Sequence, residues 1–143
     1  MGEQRIDRDK LNMSIAHDIA KRSTCTRGQV GCVITQEGRI VSTGYVGAPS
    51  GLPHCTDVGC EIGTHGGCIR TSHAEAGAIA FAARNGIALK GGAIYCTLAP
   101  CINCARLIIN AGIKKVFIDQ EYRDPSGVIE LIKAGIEVTK VEV

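Results

Sequence analysis

Aromatic side chains are scarce in this chain. Tryptophan is absent, and there are only two phenylalanines and three tyrosines among 143 residues. Proteins that hold single-stranded nucleic acid stack bases on aromatic rings, and little here could serve. Concentrated positive charge is missing too. The net charge is +2, and basic residues are scattered apart from the short pairs Lys21-Arg22 and Lys114-Lys115. Without a basic tract, no nucleic-acid partner is expected and a small substrate is favoured. No apolar run reaches the ~18 residues that a transmembrane helix needs, so no membrane partner is expected. Met1 to Lys10 is polar and charged, unlike a secretory leader. With no leader, the eight cysteines read as reduced thiols and metal ligands in a cytoplasmic protein, not as disulfides. There is no internal repeat and no low-complexity tract. The length suits one domain, 1–143, with a sizeable core.

What the chain does have is His73-Ala74-Glu75 and, further on, Pro100-Cys101-Ile102-Asn103-Cys104. An H-x-E followed by P-C-x-x-C is the recognised signature of the zinc nucleobase deaminases. The chemistry explains the residue types. Zinc favours thiolate and imidazole, and a catalytic site keeps one of four positions open for water. His73, Cys101 and Cys104 supply three ligands. Zinc lowers the pKa of water at the open position to about 7. Glu75 is then placed as the proton shuttle, taking a proton from water, passing it to the ring nitrogen and helping the amine to leave. A lone C-x-x-C could be a redox pair or half of a structural zinc site, and a lone H-x-E arises by chance. The two together favour catalysis over a closed structural site.

Both motifs open helices. Ala76, Ile79, Ala80 and Ala83 are apolar at helical spacing after His73, and Asn85-Gly86 is a stop signal. Pro100 precedes a second helical run that includes Ile102, Ala105, Leu107, Ile108 and Ile109 and closes at Ala111-Gly112. Cys101 and Cys104 would share one face of that helix, with thiol pKa values lowered by its N-terminus.

Elsewhere, a first helix is predicted over about 7–22, with Leu11, Ile15 and Ile19 recurring every four residues beside Met13, Ala16 and Ala20. His17 lies in it as a structural or exposed residue. Runs 30–35 and 39–45 form a hairpin through Gln36-Glu37-Gly38. Residues 46–72 form a long loop. Strands at 93–97, 115–118 and 137–141 alternate with helices at 101–111 and 126–134. The pattern predicts an α/β fold: a three-layer α/β/α sandwich with a mixed sheet of about five strands, cytidine-deaminase-like.

Cys32 and Cys96 sit in apolar strands and read as core. Cys25, Cys55, Cys60 and Cys68, with His65 nearby, fall in or beside the long loop. A second, structural zinc would tie that loop down, with Cys25 and Cys55 as first ligands, then Cys68, then Cys60 or His65. The alternative is free surface thiols.

Arg22-Ser23-Thr24-Cys25-Thr26-Arg27, Val30-Gly31, Gly44-Tyr45-Val46-Gly47, His54-Cys55, Phe81-Ala82-Ala83-Arg84-Asn85-Gly86 and Tyr122-Arg123, taken with the zinc motif, resemble the deoxycytidylate (dCMP) deaminases. The resemblance covers nearly the whole chain. It implies hydrolysis of dCMP to dUMP and ammonia, supplying precursor for thymidylate synthesis. It implies a homo-oligomer, commonly a hexamer, with activation by dCTP and inhibition by dTTP at a second nucleotide site. Mg2+ would accompany such a triphosphate. It implies Cys25 and Cys55 as ligands of a second zinc, the rest of that set varying between members. It also implies substrate contacts from Ser23, Arg27, Val46, Ala74, Tyr122 and Arg123. Arg27, Tyr122 and Arg123 are the candidates for the 5′-phosphate, which a guanidinium fork suits, against a reading of each Arg as a solvated surface charge. Two departures stand out. Val46 and Gly77 occupy positions where the family usually has Asn, whose amide suits a sugar hydroxyl or the cytosine edge.

Other readings stay open at this point. The chain could be a small-molecule deaminase acting on cytidine, guanine or a pterin-like base. It could be a tRNA or single-strand deaminase, or a non-catalytic zinc scaffold, including a DNA-uptake accessory. Glu75 argues against a scaffold, which has no use for a carboxylate there.

Overall fold

A computed structural model describes residues 4–64 and 66–143. His65, one of the loop-zinc candidates, lies outside the described residues, as do Met1 to Glu3 of the polar start. Among the described residues the elements run α1 (Arg8–Ala20), β1 (Gly31–Gln36), β2 (Arg39–Tyr45), α2 (Cys55–Val58), α3 (Ala74–Arg84), β3 (Ala93–Leu98), α4 (Ile102–Asn110), β4 (Lys115–Gln120), α5 (Ser126–Lys133) and β5 (Glu137–Lys140). No helix among them is long and apolar enough to cross a membrane.

The five strands form one mixed sheet in the order β2-β1-β3-β4-β5. β1 is antiparallel to both neighbours, while β3, β4 and β5 are parallel. Alternation along the strands sends side chains to two faces. Cys32, Ile34, Ile94, Cys96, Val116 and Ile118 point to one core, shared with α3, α4 and α5. Val33, Tyr95 and Phe117 point to the other, beneath α1. This is the expected three-layer sandwich, with Cys32 and Cys96 fully buried.

Two helices bury their small residues most deeply, with Ile15, Ile19 and Ile79 partly buried against the cores and part of each predicted apolar stripe left outside. In α1 the buried residues are Asn12, Met13, Ala16 and Ala20, whereas Leu11 is 42% exposed. In α3 they are Ala74, Glu75, Ala78 and Ala82, whereas Ala80 and Ala83 are exposed. The cause is close backbone approach. A Cβ on Gly31 would stand 2.3 Å from the Ala16 carbonyl, and one on Gly44 would stand 2.1 Å from the Ala74 carbonyl. With the helices this near the strands, only small side chains fit between, and Ser42 Oγ reaches the Ala78 carbonyl at 2.7 Å. His17 meets Asp119, joining α1 to β4.

The parallel strands aim their C-terminal ends at one edge, where open α/β sheets usually bind ligands. The chain leaves β3 there into Pro100-Cys101 and leaves β4 towards Tyr122. Because β1 is antiparallel, its beginning and the end of β2 arrive at the same edge, and Gly31 pairs with Tyr45. Val30, Val46, Ala99 and Tyr122 are thereby gathered around one opening.

Candidate active site

His73 and Cys101 are the residues that cap α3 and α4 at their N-termini. Both have extended backbone, and neither side chain caps its helix. Their side chains turn towards each other instead. His73 Nδ1 lies 3.5 Å from Cys101 Sγ and 3.3 Å from Cys104 Sγ. All three donor atoms fall within 4.8 Å of one another. Zinc bonds of about 2.1 Å to nitrogen and 2.3 Å to sulfur at tetrahedral angles separate N from S by roughly 3.6 Å. The donor set therefore fits a zinc ion with one position left over. Cys101 and Cys104 meet because the cap residue folds over the first helical turn, not because both lie on the helix.

The expectation of two lowered thiol pKa values is only half met. Hydrogen bonds from Cys104 and His73 bring Cys101 down to about 3. Its bond to Cys101, together with burial, pushes Cys104 up. Side-chain pairing and burial outweigh the helix terminus at Cys104. The Cys101 bond also raises His73. Glu75 is 4% exposed, and burial lifts its carboxyl above the usual range.

These groups open on a cavity of about 270 Å³, near the lower end of small-molecule sites at roughly 300 Å³. His73, Ala74, Glu75 and Cys101 line one part of it. Val30, Val46, Leu98, Ala99 and Tyr122 come from the strand ends, and Cys25, Arg27, Gly28, Gly67, Cys68 and Thr71 from the loops. Of the predicted substrate contacts, Arg27, Val46, Ala74 and Tyr122 line the cavity. Ser23 does not: its hydroxyl donates to the Val30 carbonyl at 3.2 Å and accepts from the Val30 N–H at 3.3 Å. Arg123 does not either, and its guanidinium carbon lies 5.8 Å from the Tyr122 ring centroid. Gly77 lines a separate groove with Tyr45, Gly47 and Phe81. Two residues beyond Glu75 is more than half a helical turn, which carries position 77 away from the cavity. Thr71, Leu98 and Ala99 were not foreseen as lining residues. Their only signal was a place within two residues of the start of a ligand motif.

A second thiol cluster stands beside this cavity. Cys25 is 8% exposed and Cys55 2%, and the sulfurs of Cys25, Cys55, Cys60 and Cys68 lie within 4.8 Å of one another. Cys55 and Cys68 approach to 3.6 Å, and Cys25 and Cys60 to 4.0 Å. Two sulfurs on one tetrahedral zinc are about 3.8 Å apart, so four thiols make a closed set here. Burial pushes Cys55 up to about 12. A hydrogen bond from the Thr26 hydroxyl draws Cys60 down.

Comparison with known proteins agrees with this geometry. Residues 6–120 match the family described as the cytidine and deoxycytidylate deaminase zinc-binding region. The chain is 40% identical to ComE operon protein 2 of Bacillus subtilis (strain 168), over 97% of this chain and 74% of that protein. It is 33% identical to the deoxycytidylate deaminase of Enterobacteria phage T4, over 90% and 87% of the two chains. Among solved structures, the dCMP deaminase of cyanophage S-TIM5 in complex with dCMP and dUMP superposes with a TM-score of 0.86 at 31% identity. That match covers 97% of this chain and all of the other.

Proposed function

Because the chain belongs to the cytidine and deoxycytidylate deaminase family, we propose that it hydrolyses dCMP to dUMP and ammonia, residues 1–143 acting as one unit. The observation that carries this is the meeting of His73, Cys101, Cys104 and the buried Glu75 at one cavity.

His73, Cys101 and Cys104 would hold zinc. When bound, zinc supplies the Lewis acidity that makes water nucleophilic near neutral pH. Glu75 does the proton work. A carboxylate oxygen takes the proton of the attacking water and delivers it to the ring nitrogen beside the scissile carbon. It then takes the remaining hydroxyl proton of the adduct and carries it to the amine, so that the carbonyl forms as the C–N bond breaks and ammonia leaves. Its burial limits exchange with bulk water and keeps the carboxylate basic enough to accept. Ala74 contributes backbone at a helix start, where N–H groups have no intrahelical partner and are free to donate to substrate. Arg27 and Tyr122 are the cavity groups suited to the 5′-phosphate. Arg123 would reach it only by swinging away from Tyr122, and Ser23 acts by holding Val30.

Cys25, Cys55, Cys60 and Cys68 would bind a second, structural zinc without needing His65. A hexamer under dCTP and dTTP control, with Mg2+ on the triphosphate, belongs to the same proposal and rests on the family resemblance alone, whereas the cytoplasmic setting rests on reading the cysteines as reduced thiols.

The test is ammonia release by zinc-loaded protein from dCMP, deoxycytidine and cytidine. Turnover of dCMP with little from the nucleosides is expected. Equal turnover of all three would shift the assignment to a nucleoside or base deaminase. No turnover of dCMP, with or without dCTP and Mg2+, would overturn it.

A further inference from the structure

We infer that the four-thiol cluster is the positioning element for phosphate recognition: closed around a metal ion, Cys25, Cys55, Cys60 and Cys68 hold the Arg27 guanidinium in the cavity lining. The inference rests on the nucleotide reading above and adds a task for residues that would otherwise serve only as a staple.

Arg27 sits in a segment with no helix or strand, between α1 and β1. Its Nη1 donates to the Gly66 carbonyl at 2.9 Å, across to the long loop. The cluster brackets both ends of this bond. Cys25 lies two residues before Arg27, and Cys68 two residues after Gly66. The same two segments are joined at Thr26, whose hydroxyl lies 3.5 Å from Cys60 Sγ, and by the Thr56 N–H to the Thr24 carbonyl at 3.2 Å. Gly66 belongs to a small turn of the loop, with Gly63 N–H on the Gly67 carbonyl at 2.8 Å, Gly66 N–H on the Gly63 carbonyl at 3.0 Å and an Ile62–Cys68 bridge, and Cys60 and Cys68 stand at the two ends of that turn, so the cluster decides where it sits against the Arg27 segment. A guanidinium carries five N–H donors in a fixed fork. One donor anchored on a carbonyl fixes the plane of that fork and leaves others to meet a phosphate. The reacting groups stand on a different support, the starts of α3 and α4 against the sheet. Losing the loop metal should therefore weaken binding of the phosphate and spare the chemical step.

The experiment compares zinc-loaded wild type with Cys60→Ser, a ligand that does not line the cavity. Zinc content is read by elemental analysis, affinities for dUMP and deoxyuridine by calorimetry, and kcat and KM on dCMP. The expected result is a fall from two zinc ions per chain to one. Affinity for dUMP should drop roughly tenfold or more with that for deoxyuridine nearly unchanged, and KM should rise with kcat within about threefold. Cys60→His should restore both zinc and dUMP affinity. In an Arg27→Ala background, Cys60→Ser should cost no further dUMP affinity, since the two act through one contact. One zinc in the wild type would overturn the inference. So would a dUMP-to-deoxyuridine ratio that survives loss of the second zinc, or a fall in kcat matching the rise in KM. Should Cys60→Ser fail to fold, Cys60→His decides: two zinc ions with a tenfold loss of dUMP affinity would overturn the inference, and a wild-type ratio supports it. Failure of the wild type to turn over dCMP would instead sink the nucleotide reading itself.

Discussion

Adding one methyl group at Gly44 should cost both stability and rate. The Cβ of Gly44→Ala would stand 2.1 Å from the Ala74 carbonyl and 2.9 Å from the Ala78 nitrogen, where ordinary contact begins at 3.4 Å. Both neighbours are backbone, so no side chain can rotate away. Either β2 or the first turn of α3 must move by about 1.3 Å, and overpacking of this kind costs about 1–3 kcal/mol. For a chain of this length that is a melting point lower by roughly 4–12 °C. The turn that moves carries His73 and Glu75, so kcat should fall by about 100-fold, the usual penalty for a 1 Å misplacement of reacting groups. Thermal melts of zinc-loaded protein followed by circular dichroism, with steady-state kinetics on dCMP, measure both. Gly77→Ala is the matched control on the same helix. Among the described residues nothing beyond its own helix backbone and chain neighbours lies within 4 Å of its added Cβ, so it should gain about 0.5–1 kcal/mol from helix propensity. A Gly44→Ala protein melting within about 1 °C of wild type, with kcat within about twofold, would refute close packing as what sets the α3 position.

Glu75→Gln keeps the shape and removes the proton carrier; kcat should drop by about 10²–10⁴ while zinc content holds, and a loss under tenfold would show that another group moves the proton. Val46→Asn places an amide in the cavity lining and should change KM or the preference for dCMP over deoxycytidine; no change in either would mean that Val46 does not contact substrate. Stripping the zinc-loaded protein with a chelator should abolish activity and lower the melting point, both restored by added zinc, because a ligand that binds only the folded state stabilises it. An unchanged melting point would place the metal outside the folded structure's support.

The element order and the sheet were legible because alternation in the strands and stop signals such as Asn85-Gly86 are local properties of the chain. The catalytic donor set was legible because zinc chemistry restricts residue type and spacing together. Which residues of α1 and α3 lie deepest was legible only in part: Met13, Ala16 and Ala20 were in the apolar set, but Leu11 and Ala80 are exposed and Ala78 is buried. That depends on Gly31 and Gly44, remote in sequence, whose missing side chains let backbones touch and favour Ala16 and Ala78 over Leu11 and Ala80. The placement of Ser23, Arg123 and Gly77 was hidden for a related reason. A motif gives neighbours along the chain, whereas lining a cavity depends on direction, and a step of one or two residues turns a side chain away.

Neither His73 nor Cys101 caps the helix it begins. Serine or aspartate at either position would supply the missing acceptor and strengthen the helix by about 1 kcal/mol. Each such change would also remove a ligand. Folding and chemistry thus pull these two positions in opposite directions, and a residue less suited to starting a helix persists where the metal is needed. A screen run on metal-free protein would nominate position 101 for serine, and would end with a chain that is firmer without the ion but unable to gain the larger stabilisation that zinc supplies.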